Sequence, residues 1–358
     1  MSSYKFLSWI DIDKLDMNII STHYQAIQYL EENPNKINWK MISYNKSAVH
    51  LIKNNLDKIC WDGLCSNAAK EVLPILQENI EKVNWSCICR NESSWINNLL
   101  ENNIDKLRIH NNQIQHHTDD LYFLSRNTEA IPFLEKHIEL IYWDGLHINK
   151  NAIHLLDKYN INIDFTLLHT NPNPEALKLF VKYRYHRNFM FNLHFAEGYI
   201  IIPILKRNPH LIDSYICRNE NPDATNMIKQ YIEDCKNTDS NSICWDDLSD
   251  NPAATSIMKE NIDKIQWDLF CALETHEAIE IIRENLDKVD WDVLSANKMA
   301  IHILTENQDK INWNNLSTNE GIYEEIYEEI EINERDNRKD NGEQLTELNL
   351  DDFTPLKI

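Results

Sequence analysis

One phrase recurs along this chain and decides the fold: Val289-Asp290-Trp291-Asp292-Val293-Leu294-Ser295-Ala296-Asn297, followed by Ala300-Ile301-His302-Ile303-Leu304. A tryptophan marks each clear recurrence, and neighbouring tryptophans in the regular blocks lie 22 or 24 residues apart. A fixed short period of this kind is typical of proteins built from stacked repeats. The marking tryptophans are Trp39, Trp61, Trp85, Trp143, Trp245, Trp267, Trp291 and Trp313.

Each unit has the residue spacing of two short helices. Trp291 and Leu294 are three residues apart and share one helical face, and the apolar residues that follow also have helical spacing. Asn297, between the two runs, is a strong helix N-cap, and in other units Pro172 or Pro252 follows this Asn at the first helical position. The sequence therefore predicts an all-α superhelical solenoid of about a dozen stacked short helix pairs, in the style of ankyrin or HEAT repeats.

Two further positions of the unit have expected roles. A second Asn, such as Asn79 or Asn285, ends each second helix, where Asn tolerates the left-handed backbone conformation. Two residues later an Asp, such as Asp287, is expected to cap the next first helix. We expect the eight indole rings to lie between neighbouring helix pairs as core anchors. The alternative is an exposed aromatic ladder that stacks on a ligand.

The regularity of the repeat divides the body of the chain into three parts. Residues 1–106 and 242–319 hold regular repeats, whereas 107–241 is an irregular middle with insertions. Residues 107–120 fit no unit and are either a decayed unit or an inserted loop. Residues 233–241 are expected to form a polar loop between units.

The C-terminal end differs from the repeats in its pattern. Ile322, Ile326 and Ile330 are four residues apart, which predicts a capping helix over 320–334. A stacked array needs such a helix to close its last apolar face. Residues 335–358 are expected to form a mobile acidic tail, because they are polar and poor in residues that could build a core.

The composition limits the classes of function. The 358 residues carry a formal net charge of −22, which argues against general duplex binding and favours a basic partner. The sequence has no apolar run of 18 or more residues, so no membrane span is predicted. The N-terminus also lacks the apolar core of a signal peptide, since Asp11 and Asp13 interrupt it. We therefore expect an intracellular protein without a membrane partner.

The cysteines and histidines do not form a recognisable metal or catalytic motif. Four of the eight cysteines stand at the place that Ser295 holds in its unit, which indicates buried structural thiols in a reducing compartment. His110, His116 and His117 could bind a metal ion, but no second half of a zinc motif accompanies them. The sequence has no motif for nucleophilic catalysis or nucleotide binding. We therefore predict no enzyme activity, no cofactor and no metal. The four cysteines are Cys65, Cys89, Cys217 and Cys271.

Residues 178–218 reverse the sign of the charge. They hold seven Lys and Arg residues against only Glu197 and Asp213, a local charge of +5, and aromatic residues lie between them. This combination suits a phosphate-bearing or single-stranded nucleic-acid ligand. The alternative is a degenerate unit whose charges pair with acidic neighbours. The candidate partner-binding residues are Lys182, Arg184, Arg187, Lys206 and Arg207.

The phrases Asn-Pro-x-Ala, Asp-Lys-Ile-x-Trp and Trp-x-x-Leu-Ser-x-Asn, with the opening Phe6-Leu7-Ser8-Trp9-Ile10-Asp11-Ile12-Asp13-Lys14-Leu15, resemble a family of tryptophan-anchored short helical-repeat proteins of giant DNA viruses. The resemblance covers about residues 5–320. It implies an all-helical solenoid that acts in the cytoplasm of an infected host cell, and it brings no catalytic residue.

Together these observations predict a non-catalytic scaffold that mediates protein–protein interaction. Stacked repeats offer an extended surface, and an acidic surface favours a basic protein partner. One alternative is an RNA-binding or translation-related scaffold that uses residues 178–218. Another is a structural component of the virion. The oligomeric state does not follow from the sequence.

Overall fold

The computed structural model describes residues 3–107, 117–159, 163–168, 170–183, 202–207, 209, 212, 214–236 and 243–326. Short helices make up most of this part, and turns most of the remainder, which confirms the all-α class. Its two strands, β1 (Ser3–Phe6) and β2 (Tyr323–Ile326), pair with each other. No helix among these residues has the length and apolar character needed to cross a lipid bilayer.

In most regular units the first helix begins at the tryptophan and ends shortly before the recurring Asn. It is four to six residues long in most units, so it supplies little more than one turn. The first helices are Met17–Ile20, Met41–Tyr44 (a 3-10 helix), Trp61–Ser66, Trp85–Arg90, His117–Arg126, Trp143–Ile148, Phe165–Leu168, Ser214–Arg218 (a 3-10 helix), Trp245–Ser249, Trp267–Phe270, Trp291–Ala296 and Trp313–Leu316.

The second helix follows the Asn, often after a 3-10 turn such as Lys298–Ala300. Another 3-10 turn, such as Gln308–Lys310, often leads into the next unit. Most second helices are longer than the first, as the sequence predicts. They are Ile27–Glu32, Val49–Lys53, Val72–Glu78, Ile96–Asn102, Ile131–Leu134, Ile153–Tyr159, Ala176–Tyr183, Ile202–Arg207, Thr225–Lys236, Thr255–Glu260, His276–Glu284 and Ile301–Glu306.

A single apolar cluster runs through the stacked units. In a typical unit it takes Leu294 from the first helix and Ile303 and Leu304 from the second, all fully or almost fully buried. These are the positions that the helical spacing marks as one face. Because every unit buries its apolar face against its neighbours, no unit is expected to be stable by itself.

The Asn between the two helices joins neighbouring units. At Asn297 the side chain caps the 3-10 turn Lys298–Ala300, as the sequence predicts. Asn67 is fully buried, and its Oδ1 accepts the backbone N–H of Ala69 in the turn that precedes the second helix. Its Nδ2 also donates to the carbonyl oxygens of Ser43 and Asn45 in the preceding unit, at 2.9 and 3.0 Å. One side chain therefore bonds both the turn of its own unit and two carbonyls of the unit before it. The same pair of donated bonds is made by Asn45, Asn91, Asn127, Asn149, Asn171, Asn251, Asn297 and Asn319.

The Ser place of the unit supplies a second tie. Ser43 Oγ donates to the carbonyl of Trp39 and accepts the backbone N–H of Cys60, which precedes the next tryptophan. Cys65 accepts the equivalent N–H through its sulfur, at 3.4 Å. His147 does so through Nε2, while its Nδ1–H donates to the carbonyl of Trp143. Ser, Cys and His at this place are therefore all buried, and each accepts a backbone N–H of the next unit.

The ends of the helices differ from the sequence-based expectation. The Asn residues that end the second helices have φ between −138° and −123°, so they do not adopt the left-handed conformation. Instead the side chain satisfies the helix: Asn79 Nδ2 donates to the carbonyl of Ile75, four residues earlier. The first helix is capped by the residue before the tryptophan, as Asn84 and Asp290 show, and not by the Asp of the preceding turn.

The first and last units of the array contact each other. β1 and β2 pair antiparallel, with Phe6 opposite Tyr323 and Lys5 opposite Glu324. The backbone N–H of Asp16 donates to Ser317 Oγ at 2.8 Å, which is the same Ser-place bond that joins consecutive units. The expected capping helix over 320–334 is therefore wrong for residues 320–326, which form a 3-10 turn and a strand. The apolar face of the last unit is covered by the first unit, so no extra helix is needed.

Two other segment predictions need correction or remain untested. Residues 117–120 are the start of the helix His117–Arg126 and not part of a loop. Residues 233–236 end the helix Thr225–Lys236, so the expected polar loop does not begin at 233. Leu107 is buried in helical backbone, and residues 108–116, 237–241 and 327–358 lie outside the described residues.

We predict that Asn67→Ala lowers the free energy of unfolding by about 2–4 kcal/mol, because two buried carbonyls lose their donor and the backbone N–H of Ala69 loses its acceptor. Asn67→Asp keeps the acceptor but not the donors, and it should also destabilise. Urea titration followed by circular dichroism measures both effects. The control is Asn314→Ala at an exposed side chain. Equal costs at positions 67 and 314 would contradict the role of the Asn.

We also predict that Ser317→Ala costs about as much stability as Ser295→Ala, on the order of 1–2 kcal/mol. Both hydroxyls donate to the carbonyl of the tryptophan four residues earlier. Each also accepts one backbone N–H, from Asn312 inside the array for Ser295 and from Asp16 across the two ends for Ser317. If Ser317→Ala were silent in urea titration while Ser295→Ala destabilised, the contact between the ends would be refuted.

Candidate interaction surface

The marking tryptophans pack against the core but keep part of each ring exposed. Trp85 is buried, and the other seven are half-buried on the side of the first helices. The seven half-buried rings are therefore neither fully enclosed core anchors nor a fully exposed aromatic ladder. The seven are Trp39, Trp61, Trp143, Trp245, Trp267, Trp291 and Trp313.

Four of these indoles are covered by a lysine of the following unit. Lys58 Nζ lies 4.8 Å from the centre of the Trp39 ring, and Lys82 Nζ lies 4.5 Å from that of Trp61. In the C-terminal block, Lys310 covers Trp291 at 4.6 Å. The fourth pair again joins the two ends of the array, because Lys14 covers Trp313 at 4.7 Å. A cation over an indole face is worth about 0.5–1 kcal/mol at an exposed site, so these pairs help to fix the stacking of units.

The residue after the tryptophan carries a negative charge in several units. These side chains are exposed beside the indoles of the first helices, and three of them, Asp246, Asp268 and Asp292, stand in consecutive units. Together they are called the acidic row. Some of them also join neighbouring units: Asn312 Nδ2 donates to Asp292 Oδ1, and Asn84 Nδ2 to Asp62 Oδ1, both at 2.9 Å. The sequence argument did not single them out. The acidic row consists of Asp62, Asp144, Asp246, Asp268 and Asp292.

The described part of the basic middle is paired with acidic side chains. Lys182 forms an ion pair with Asp157, which holds the pKa of that carboxyl below its usual value. Lys206 Nζ lies 3.2 Å from Asp223 Oδ2. Of the other candidates, Arg207 is exposed, whereas Arg184 and Arg187 lie outside the described residues. Lys206 and Arg207 are neighbours on the helix Ile202–Arg207, and the ligand hypothesis for this segment stays untested.

The cysteines that stand at the Ser place are buried, free thiols. Burial raises the pKa of Cys65 and Cys217 to about 12 and that of Cys271 to about 11, so all three are protonated at neutral pH. A protonated thiol is a poor nucleophile and a poor metal ligand. Among the residues that the structure describes, no three His, Cys, Asp or Glu side chains are placed to hold a metal ion.

A cavity of about 290 Å³ lies beside the helix Trp85–Arg90 and is lined in part by Cys87, Arg90 and Glu92. Burial raises the pKa of the Cys87 thiol, so this group is not an activated nucleophile. Arg90 already pairs with Asp120 at 3.1 Å and lies 4.1 Å from the centre of the Phe123 ring. The cavity therefore offers neither a reactive thiol nor an unpaired cation.

The contact between the two ends includes a titratable pair. His23, at the place that Asn holds in other units, is buried, and its Nδ1 lies 3.1 Å from Tyr323 Oη. Burial lowers the pKa of His23, and the negative charge of Glu320 opposes this effect only in part. Burial also raises the pKa of the Tyr323 hydroxyl, so the tyrosine is neutral. The contact is therefore suited to an uncharged histidine.

No family model, curated protein or solved structure matches this chain. The resemblance to helical-repeat proteins of giant viruses therefore stays a prediction. The acidic row and the indoles beside it are the features of the described residues that bear on function.

We predict that His23 makes the protein less stable as the pH falls. Its folded pKa is lowered, so the folded state resists protonation, and stability that is complete above about pH 6.5 is lost as the pH falls below this value. His23→Asn should remove a slope of at most about 1.4 kcal/mol per pH unit. Burial also lowers the pKa of His147, but this residue is present in the unaltered protein and in the variant, so its contribution to the difference cancels. Parallel stability profiles of the two chains between pH 5 and 8 would contradict the prediction.

Proposed function

We propose that this chain is a non-catalytic repeat scaffold that binds a basic protein segment along its first helices. One observation carries the proposal: Asp246, Asp268 and Asp292 are exposed in three consecutive units, and each directly follows a half-buried tryptophan. The surface therefore repeats an aromatic ring and a carboxylate at the interval of one unit. A repeated surface of this kind suits an extended partner with repeated cationic side chains.

The contact between the ends supports a lateral binding surface. In an open array the first and last units each present an apolar face that could bind a partner. Here the bond from Asp16 to Ser317 and the pairing of β1 with β2 bring these two faces together. We propose that the array is a closed ring of stacked helix pairs and not an open superhelix. The partner then has only the sides of the ring, among which the first-helix side is acidic.

The net charge of the whole chain supports a partner of positive charge. A formal net charge of −22 creates a negative potential that attracts basic segments and speeds their encounter. The alternative of RNA binding through residues 178–218 has less support, because Lys182 and Lys206 are already paired with carboxylates. The setting in an infected host cell depends on the family resemblance alone.

We predict that a fluorescein-labelled peptide of alternating arginine and serine binds the full chain and is released by salt. The triple variant Asp246→Asn, Asp268→Asn, Asp292→Asn should bind it roughly tenfold more weakly in a polarisation titration, because three carboxylates leave one surface. The control variant Glu277→Gln, Glu284→Gln, Asp309→Asn changes the net charge equally at exposed positions outside the first helices. Equal affinity of the two variants, or no binding by the unaltered chain, would overturn the proposal.

A further inference from the structure

Two neighbouring indoles lack the lysine that covers their counterparts. Trp245 and Trp267 are half-buried, but no Lys or Arg of the described residues lies over either ring. The lysines at the equivalent place contact polar neighbours without lying over a ring, whereas Lys58 bonds Asn55 Oδ1 and also covers Trp39. Lys264 Nζ lies 3.0 Å from Asp263 Oδ2, and Lys288 Nζ lies 3.4 Å from Asn285 Oδ1.

The remaining indoles are closed in other ways. Trp85 is buried, and Trp143 has the edge of the Tyr159 ring against it, with the ring centres 6.0 Å apart. Trp267 contacts an aromatic ring only from its own helix, that of Phe270. Trp245 and Trp267 are thus the two half-buried marking indoles of the described repeats that no cation and no aromatic ring from another helix covers.

The two uncovered rings are set next to each other. Their units are consecutive, and the Ser-place bond from the N–H of Gln266 to Ser249 Oγ joins them at 2.9 Å. Each ring is directly followed by an exposed carboxylate, Asp246 or Asp268, that has no ion-pair partner among the described residues. The pair therefore repeats one combination, an indole face with an adjacent negative charge, at the interval of one unit.

The chain itself shows which group fits such a face. In four other units the group over the indole is a primary ammonium, 4.5 to 4.8 Å from the ring centre. We propose that Trp245 with Asp246, and Trp267 with Asp268, are twin subsites for two lysine side chains of an extended partner segment. This inference depends on the proposed function and specifies where and how the basic segment binds.

The geometry also sets the spacing of the two lysines. Packed helices lie about 8–10 Å apart, and a segment in the polyproline II conformation advances about 3.1 Å per residue with three residues per turn. Two lysines three residues apart in such a segment therefore lie on one face, separated by about the distance between the subsites. The partner segment has the form Lys-x-x-Lys, where x is small or polar. Its two ammonium groups take the positions over the rings that Lys264 and Lys288 do not occupy.

The test uses the full chain with 15N-labelled tryptophan side chains and the peptide Gly-Ser-Lys-Ser-Ser-Lys-Ser-Gly. The indole N–H signals of Trp245 and Trp267, assigned from the single variants Trp245→Phe and Trp267→Phe, should shift on titration, while those of Trp39 and Trp61 stay in place. Acetylating both lysines removes their charge and should weaken binding roughly three- to tenfold per lysine. Shifts at other tryptophans, or binding unaffected by acetylation, would overturn the inference.

A gain-of-function variant makes the test independent of folding defects. Lys310→Ser uncovers Trp291, the next indole in the series, and should make its signal respond to a peptide with three lysines at the same spacing. The control Lys259→Ser removes the same charge from an exposed position on a second helix and should leave Trp291 silent. A silent Trp291 in the Lys310→Ser variant would contradict the proposed subsites.

The outcomes separate the two proposals. If the alternating arginine peptide binds the acidic row but the indoles of Trp245 and Trp267 do not respond to the lysine peptide, the scaffold proposal stands and the twin subsites are refuted. If neither peptide binds the full chain, both proposals fail.

Discussion

The buried carboxamide between the two helices of most units holds the rest of the structure in place. Asn can accept and donate at once, and at Asn67 the accepted bond fixes the turn before the second helix while the two donated bonds fix the preceding unit. Away from water such bonds are strong, and a missing partner is costly. The same group therefore sets both the turn within a unit and the stacking between units, which allows helices of little more than one turn to form a stable array.

The contact between the ends changes what the repeat can do. An open array keeps two apolar end faces that must be capped, whereas here Ser317 accepts the N–H of Asp16 as if the first unit were the next one in sequence. Lys14 covers Trp313 in the same way that Lys310 covers Trp291. The Ser-place hydrogen bond and the lysine over the indole thus join the two ends as they join consecutive units inside the array. The exposed surface that remains is the repeated one, with its carboxylates and half-buried indoles.

The indoles have two physical roles that differ between units. Where a lysine covers the ring, the pair is part of the stacking and the ring face is occupied. Where Lys264 or Lys288 lies elsewhere, the ring keeps its packing against the core but has no cation over it. A small change in the direction of a flexible side chain therefore separates a structural position from a proposed binding position, without a change in the repeat itself.

The sequence by itself determined the unit, because helical spacing and the N-cap preference of Asn are local properties: the two helices, the cap and the buried face around Leu294 all follow from one period. It could not give the donors of Asn67 across units or the acceptor role of Ser43, since both need the position of a neighbouring unit. The uncovered indoles also depend on where a lysine points in space. Only the tertiary structure decided that the array meets its own beginning, because this depends on the small rotation between units, summed over the whole chain.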